Sequence, residues 1–284
     1  MRVLFFLCAL LLPLNAVAET ITMASTTSTQ NSGLLDDILS KFTKKTGIGV
    51  NVVAVGTGQA LRIARNGDAD VLLVHHRPSE DAFIADGDGI ARHDVMYNDF
   101  VIVGPAADPA GVAKATTAAE ALVHIAESKT PFASRGDDSG THKKEQELWT
   151  IAGIVPDGDW YRETGAGMGT TLNIAVAMGA YVLTDRGTWI TFGNKQDHVL
   201  LMSGDPELFN PYGVIVVNPS KHPHVKVAAA QALVDWLISD EGQRAIGAFQ
   251  IEGKQAFCPN ALTFAQKRDE ANKRCPVDQQ SRQP

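Results

Sequence analysis

Two spacings of apolar residues alternate along the chain. Short β-branched runs are separated by stretches in which hydrophobic positions recur every three or four residues. The first series predicts a strand over 20–24, a helix over 32–46, a strand over 50–55 and a helix over 58–66. Val71, Leu72, Leu73 and Val74 then form an unbroken apolar run, the mark of a parallel strand covered on both faces. This alternation is that of a doubly wound α/β fold. A strand over 99–103 follows, after which Gly104, Pro105 and Pro109 lead into a second βα series. That series predicts strands over 131–134, 160–163, 181–184 and 199–202, with helices over 141–152 and 170–178. Asn210, Pro211, Tyr212 and Gly213 lead into a strand over 214–217 that returns the chain to the first unit, closed by helices over 226–239 and 241–249. The chain therefore divides into residues 19–99, 100–210 and 211–284. Two crossings make a pair of lobes joined by a two-strand hinge, an architecture that closes around a ligand.

Residues 1–18 stand apart from this pattern. Arg2 precedes an apolar run over 3–12, and Ala16, Val17 and Ala18 supply small residues at a cleavage site. These are the parts of a secretory signal peptide, and the run is too short for a transmembrane helix of about 20 residues. About 266 residues would remain, enough for two units of ordinary size. The net charge is −7, which argues against nucleic acid or an anionic membrane as partner. An anionic ligand would have to be held by local donors. With Cys8 removed, Cys258 and Cys275 remain together in an oxidising compartment, where a disulfide between them is expected, free thiols being the alternative.

Four loops between a strand and a helix carry candidate chemistry. Ser25, Thr26, Thr27, Ser28 and Thr29 are five consecutive hydroxyl residues at the first such junction, where one would suffice as a helix cap. At the C-terminal edge of a parallel sheet these hydroxyls and the helix's first N–H groups face the ligand crevice. Thr57 and Gly58, between Gly56 and Gln59, repeat the arrangement after the second strand. In the second lobe the run Ser134, Arg135, Gly136, Asp137, Asp138, Ser139, Gly140, Thr141, His142 is the most specific feature of the chain. Arg135 offers a charged fork for oxyanion oxygens, Ser139, Gly140 and Thr141 offer hydroxyls and amides at a helix start, and the aspartates hold the loop or Arg135. A plain Arg135 and Asp137 ion pair is the alternative. Met168, Gly169 and Thr170 end a Gly-rich loop expected to contribute backbone amides. Asp185 and Arg186 follow a further strand and are expected to pair with each other.

Other chemistries find less support. His75 with His76, and His222 with His224, lack the ligand spacing of a metal site, and no nucleophile elbow or zinc-protease motif is present. No cofactor is implied. A cage of donors alone would select a fully ionised anion, having no acceptor for an extra proton. The rival class is a secreted hydrolase of phosphoryl or sulfuryl esters using the same cradle with His142 as base. A sensor subunit that reports the anion without transporting it is a third reading.

The motifs STTS, VGTGQAL, DVLLVHHRPSE, MYNDFVIVGP, SRGDDSGTH, GAGMGTTLNIA, YVLTDRGTW and PYGVIVVNP together resemble the tungstate-binding proteins of Tup-type ABC importers. The resemblance spans about residues 20–261. It implies a type II periplasmic-binding-protein fold, a monomer in the periplasm, and delivery of tungstate to a membrane permease and its ATPase, with molybdate as the nearest competing ligand. The family's Thr-Thr-Thr-Ser run falls on Ser25, Thr26, Thr27 and Ser28, its anion-binding arginine on Arg135, and its neighbouring hydroxyl contact on Thr141. The His75 and His76 doublet and the cysteine-bearing tail depart from the family pattern and are expected to stay clear of the site.

Overall fold

A computed structural model describes residues 19–261. The signal-peptide segment and Cys275 lie outside the described residues. The elements in chain order begin β1 (Thr20–Thr26), α1 (Thr27–Asn31), α2 (Leu34–Thr46), β2 (Gly49–Val55), α3 (Thr57–Arg65), β3 (Val71–Val74), α4 (Arg77–Ala85) and β4 (Gly89–Pro105). They continue α5 (Ala118–Ser128), β5 (Phe132–Ser134), α6 (Gly140–Ile151), β6 (Tyr161–Glu163), α7 (Met168–Met178), β7 (Val182–Asp185), α8 (Arg186–Thr191) and β8 (His198–Met202). The last are β9 (Phe209–Val217), α9 (Val227–Ile238), α10 (Asp240–Ala248), and the short β10 (Gln250–Ile251), β11 (Lys254–Gln255) and β12 (Cys258–Pro259).

Helix α2 shows how pattern becomes packing. Leu34, Leu35, Ile38, Leu39 and Phe42 fall on one face and are buried, Asp36 and Asp37 lie in the first turn, and Lys44 and Lys45 in the last, each sign matched to the helix dipole. Gly47 ends the helix at φ 76°, a left-handed turn that costs glycine nothing. The buried face packs with Ile21, Met23, Val214, Leu233 and Trp236 in one core of the first lobe, and a second core around Leu61, Leu72, Phe83 and Ile215 covers the other side of the sheet. The second lobe has its own pair of cores, one around Phe132, Trp149 and Tyr181, the other around Val101, Leu172 and Trp189. The architecture is two α/β lobes, as the alternating pattern predicts.

The sheet order in the first lobe is β12-β4-β9-β3-β1-β2, with β1 parallel to β2 and β3. Strand β4 runs on into the second lobe. Its residues up to Asp99 pair with β9, and from Phe100 onward it pairs with β7 and β8. Asn98 and Asn210 sit opposite each other at this exchange, both buried, and the Asn210 amide donates to Asn98 Oδ1 at 2.6 Å.

Several expectations are corrected here. The strand over 99–103 is the end of a 17-residue strand, whose earlier part carries Arg92 and Asp94. Arg92 donates to buried Glu80 at 2.5 Å and to Asp94 at 2.6 Å, so these charges tolerate a half-buried strand that lacks an apolar alternation. Helices α4 and α5 add to the elements that the apolar spacing predicts. Asp185 and Arg186 do not pair with each other: Thr188 donates to Asp185 from its N–H at 2.9 Å and its hydroxyl at 2.6 Å, capping α8, while Arg186 makes a two-pronged bridge to Asp99 at 2.6 and 2.5 Å. Cys258 is disulfide-bonded, with β12 seated on β4 at Met96 and Tyr97.

The Arg186 bridge ties the second lobe to the strand that crosses between lobes. Removing one partner leaves the other's charge buried, which costs about 3 kcal/mol or more. Arg186→Ala is therefore expected to lower the unfolding free energy by about 3 kcal/mol in a denaturant titration; an unshifted midpoint would contradict this role.

Candidate functional site

Three parallel strands of the first lobe end side by side. Strand β1 ends in Ser25 and Thr26, β2 leads through Gly56 to Thr57, and β3 ends just before His75. Across from them, β5 delivers Arg135 and α6 begins at Gly140. Thr26, Thr27, Ser28, Val55, Gly56, Thr57, His75, Arg135, Ser139, Gly140 and Thr141 together line one small cavity of about 10 Å³. It is a small space lined mainly by hydroxyl, backbone amide and guanidinium groups.

The wall is built of donors. Helices α3 and α6 both start at the cavity; of their first-turn N–H groups, which have no carbonyl of their own helix to bond, Gly58 donates to Asp138 O and His142 to the Ser139 hydroxyl, which leaves Thr57, Gly140 and Thr141 at the cavity wall. Thr26 caps α1, its hydroxyl accepting from Thr29 N–H at 3.4 Å, and shares hydroxyl bonds with Ser28 (3.2 Å) and Thr29 (2.7 Å). Ser139 caps α6, accepting from His142 N–H at 3.2 Å. The Thr57 hydroxyl is buried and has no hydrogen-bond partner among the described residues. An unmatched buried hydroxyl costs about 1 to 3 kcal/mol, a cost a binding site recovers when its ligand arrives.

Arg135 is the charged member and is only 3% exposed. Its Nε donates to Ala166 O at 2.7 Å and one Nη to Asp137, which leaves further N–H groups for the cavity. Asp137 in turn accepts from Ser139 N–H at 3.2 Å. The sharp loop needs Gly136 at φ 57°, where a side chain would also strike Glu163. Ion pairing and anion contact are thus compatible: Asp137 steadies one edge of the guanidinium and another edge faces the cavity.

The lobes also touch directly around this cavity. Gly58 N–H donates across to Asp138 O at 3.3 Å, and a Cβ on Gly58 would lie 1.8 Å from Asp138 Oδ2. His76 Nε2 meets Glu147 Oε1 on α6 at 3.0 Å, and this contact with Lys144 beside it holds the Glu147 carboxyl down at about 2.

The sequence-predicted set is brought together in part. Thr26, Thr27, Ser28, Thr57, Arg135, Ser139, Gly140 and Thr141 share the cavity. Ser25 does not, because it is still in the strand and its hydroxyl donates to Leu73 O at 2.9 Å. Gly58 serves the contact between lobes. Met168 is packed into a core of the second lobe, Thr170 is exposed and Gly169 lies in open surroundings; none of the three lines the cavity, and the Gly-rich loop meets Arg135 through the Ala166 carbonyl. His75 was expected to stay clear of the site and instead lines it. Burial is the main reason its imidazole is held at about 4, and the Arg135 charge works in the same direction. A bare doublet after a buried strand gives no sign of this. The position, one residue past the end of a parallel strand next to two others, is the signal that was available.

A donor-lined cavity between two hinged α/β lobes defines a solute-binding protein of the periplasmic-binding class, and residues 15–241 match the model described as the PBP superfamily domain. Tungstate-binding protein TupA of Peptoclostridium acidaminophilum is 49% identical over 245 residues, covering 85% of this chain and 86% of that protein. The crystal structure of the tungstate ABC transporter from Geobacter sulfurreducens shares 53% identity with a TM-score of 0.76, covering 81% of this chain and 99% of that one. TupA from Desulfovibrio alaskensis G20 shares 48% identity with a TM-score of 0.75, over 86% of this chain and 100% of the other. The chain belongs to the TupA-type family of periplasmic binding proteins.

The unmatched Thr57 hydroxyl yields a test that needs no ligand. Thr57→Val keeps the shape and deletes the buried polar group, so the ligand-free variant is expected to unfold about 1 kcal/mol later than the parent protein. A loss of stability in a urea titration would mean that the hydroxyl supports the fold.

Proposed function

We propose that this protein captures tungstate between its lobes in the periplasm and delivers it to the permease and ATPase of an ABC importer. It is a carrier and performs no chemical step. The observation that carries this reading is the meeting of the Thr57 hydroxyl from one lobe with the buried Arg135 guanidinium from the other in one cavity. Neither lobe alone supplies both.

A divalent oxyanion gives up a strong hydration shell on binding, and its burial is prohibitive unless each oxygen finds a fixed donor. Thr26, Thr27, Ser28, Thr57, Ser139, Gly140 and Thr141 supply neutral O–H and N–H groups, and Arg135 supplies the single positive charge. Two helix N-termini add partial positive charge aimed at the same point. The lobes of the proposal are residues 19–99 with the segment from 211 onward, and residues 100–210. Closure about Asn98 and Asn210 then brings the two donor sets together. The working unit is a monomer.

Molybdate shares size and charge with tungstate and is the competing ligand; sulfate is smaller and would leave donors unmatched. Titration of the ligand-free protein with tungstate, molybdate, sulfate and phosphate is expected to rank the first two well above the others. In calorimetry Arg135→Ala is expected to weaken tungstate binding by about 2 kcal/mol or more, near 30-fold. An unchanged affinity would refute the assigned role of Arg135.

A further inference from the structure

One contact joins the lobes beside the cavity without using any of its donors. His76 follows β3 in the first lobe, Glu147 lies on α6 in the second, and neither lines the cavity. Both border an adjoining groove of about 220 Å³, together with Lys144, Phe100, Phe209 and Pro211. His75 and Gly140 border both spaces, so the contact stands on the flank of the cavity.

Each partner is fixed within its own lobe. The Ser79 main-chain N–H meets His76 Nδ1 at 3.3 Å, and a main-chain amide can only donate, so Nδ1 is the unprotonated nitrogen of the neutral ring. The Ser79 hydroxyl donates to the same nitrogen at 2.6 Å. The ring proton therefore sits on Nε2, which donates to Glu147 Oε1 at 3.0 Å. The main-chain N–H of His76 donates to Glu80 Oε1 at 2.8 Å, and Glu80 is fully buried. In the second lobe Lys144 Nζ holds Glu147 Oε2 at 2.6 Å. Two groups already held in place lose little conformational freedom when they meet. An ion pair between mobile surface chains contributes little, whereas a hydrogen bond to a carboxylate from a ring only 13% exposed belongs to the stronger class.

We propose that His76 and Glu147 form a clasp between the lobes that sets how long the bound anion is held, acting on its release and not on its recognition. The inference rests on the reading of the protein as a carrier that closes around an oxyanion. The clasp residues sit in different lobes joined through β4 and β9, so opening of the cleft separates them. A contact made only when the lobes meet favours the closed form, and an anion shut between lobes leaves through the open one. Capture begins in the open form, before the contact exists, and is little affected.

Isotope exchange reads the two rates apart: protein loaded with radiolabelled tungstate is chased with unlabelled tungstate, and calorimetry supplies the affinity. His76→Asn keeps an oxygen to accept from Ser79 N–H, as a helix cap does, but is too short to reach Glu147. His76→Asn and Glu147→Ala are each expected to release tungstate about tenfold faster, the scale of one charge-assisted hydrogen bond. Their association rates are expected to stay within about twofold of the wild type. The double variant is expected to release no faster than either single one, because both remove the same bond. Residues that only support the fold would instead give additive effects. Arg62→Gln breaks a pair with Asp138 between exposed chains at 3.7 Å and is expected to leave release unchanged. Unchanged release in Glu147→Ala, additive effects in the double variant, or equal acceleration in Arg62→Gln overturns the inference. Glu147 is 37% exposed, so Glu147→Ala decides the matter even if His76→Asn does not fold. Failure of the wild-type protein to bind tungstate at all would instead strike the functional reading on which this rests.

Discussion

A small dianion leaves water only for a site whose donors are already fixed in place, and the buried guanidinium of Arg135 is the hardest of these donors to provide. A charged group taken out of water costs several kcal/mol unless its own hydrogen bonds are met. The second lobe meets them with Asp137 on one side and the Ala166 carbonyl on the other, and much of the local sequence follows from that need. Gly136 allows the loop to turn back past Glu163, Asp137 also accepts from Ser139 N–H, and Ser139 in turn caps α6. The Gly-rich loop before α7 exists in this account to present one carbonyl. A chain with a net charge of −7 has no general attraction for anions, so its positive potential has to be concentrated where these elements meet.

The first lobe contributes without charge. Its three strand ends lie adjacent because β1 pairs in parallel with both β2 and β3, which places the hydroxyl cluster, Thr57 and His75 on one sheet edge. The two sets of donors are linked mechanically by β4 and β9, each a single strand shared between lobes or returning from one to the other. At the exchange point Asn210 donates to Asn98 Oδ1 and Arg186 bridges Asp99, while Asn98 Nδ2 is buried with no partner among the described residues. The hinge is therefore a hydrogen-bonded element and not a loose linker, and His75 reaches it through Asn210.

Much of this was legible because the local chemistry is written locally. The apolar run 71–74 and the alternation around it gave the α/β class, and hydroxyl or glycine residues at strand ends marked the cavity wall in three of four loops. What failed to show depends on partners far along the chain. Ser25 reads like its neighbours, yet one more residue of strand turns its hydroxyl to Leu73 O. Gly165, Ala166 and Gly167 read the same whether amides face a ligand or a carbonyl backs an arginine. Arg186 sits next to Asp185 in sequence but finds Asp99, and the charged first half of β4 is stabilised by Glu80, a residue from another element. His75 becomes significant only when its strand is placed between two others.

The central claim is positional: the oxyanion sits between the starts of α3 and α6, shared by both lobes. Crystals of the protein grown with tungstate, with data collected at a wavelength where tungsten scatters anomalously, locate the metal atom without reference to any assumed contact. The account predicts one strong peak enclosed by Thr57, Arg135 and Thr141. A peak on one lobe alone, or away from Arg135, would contradict it.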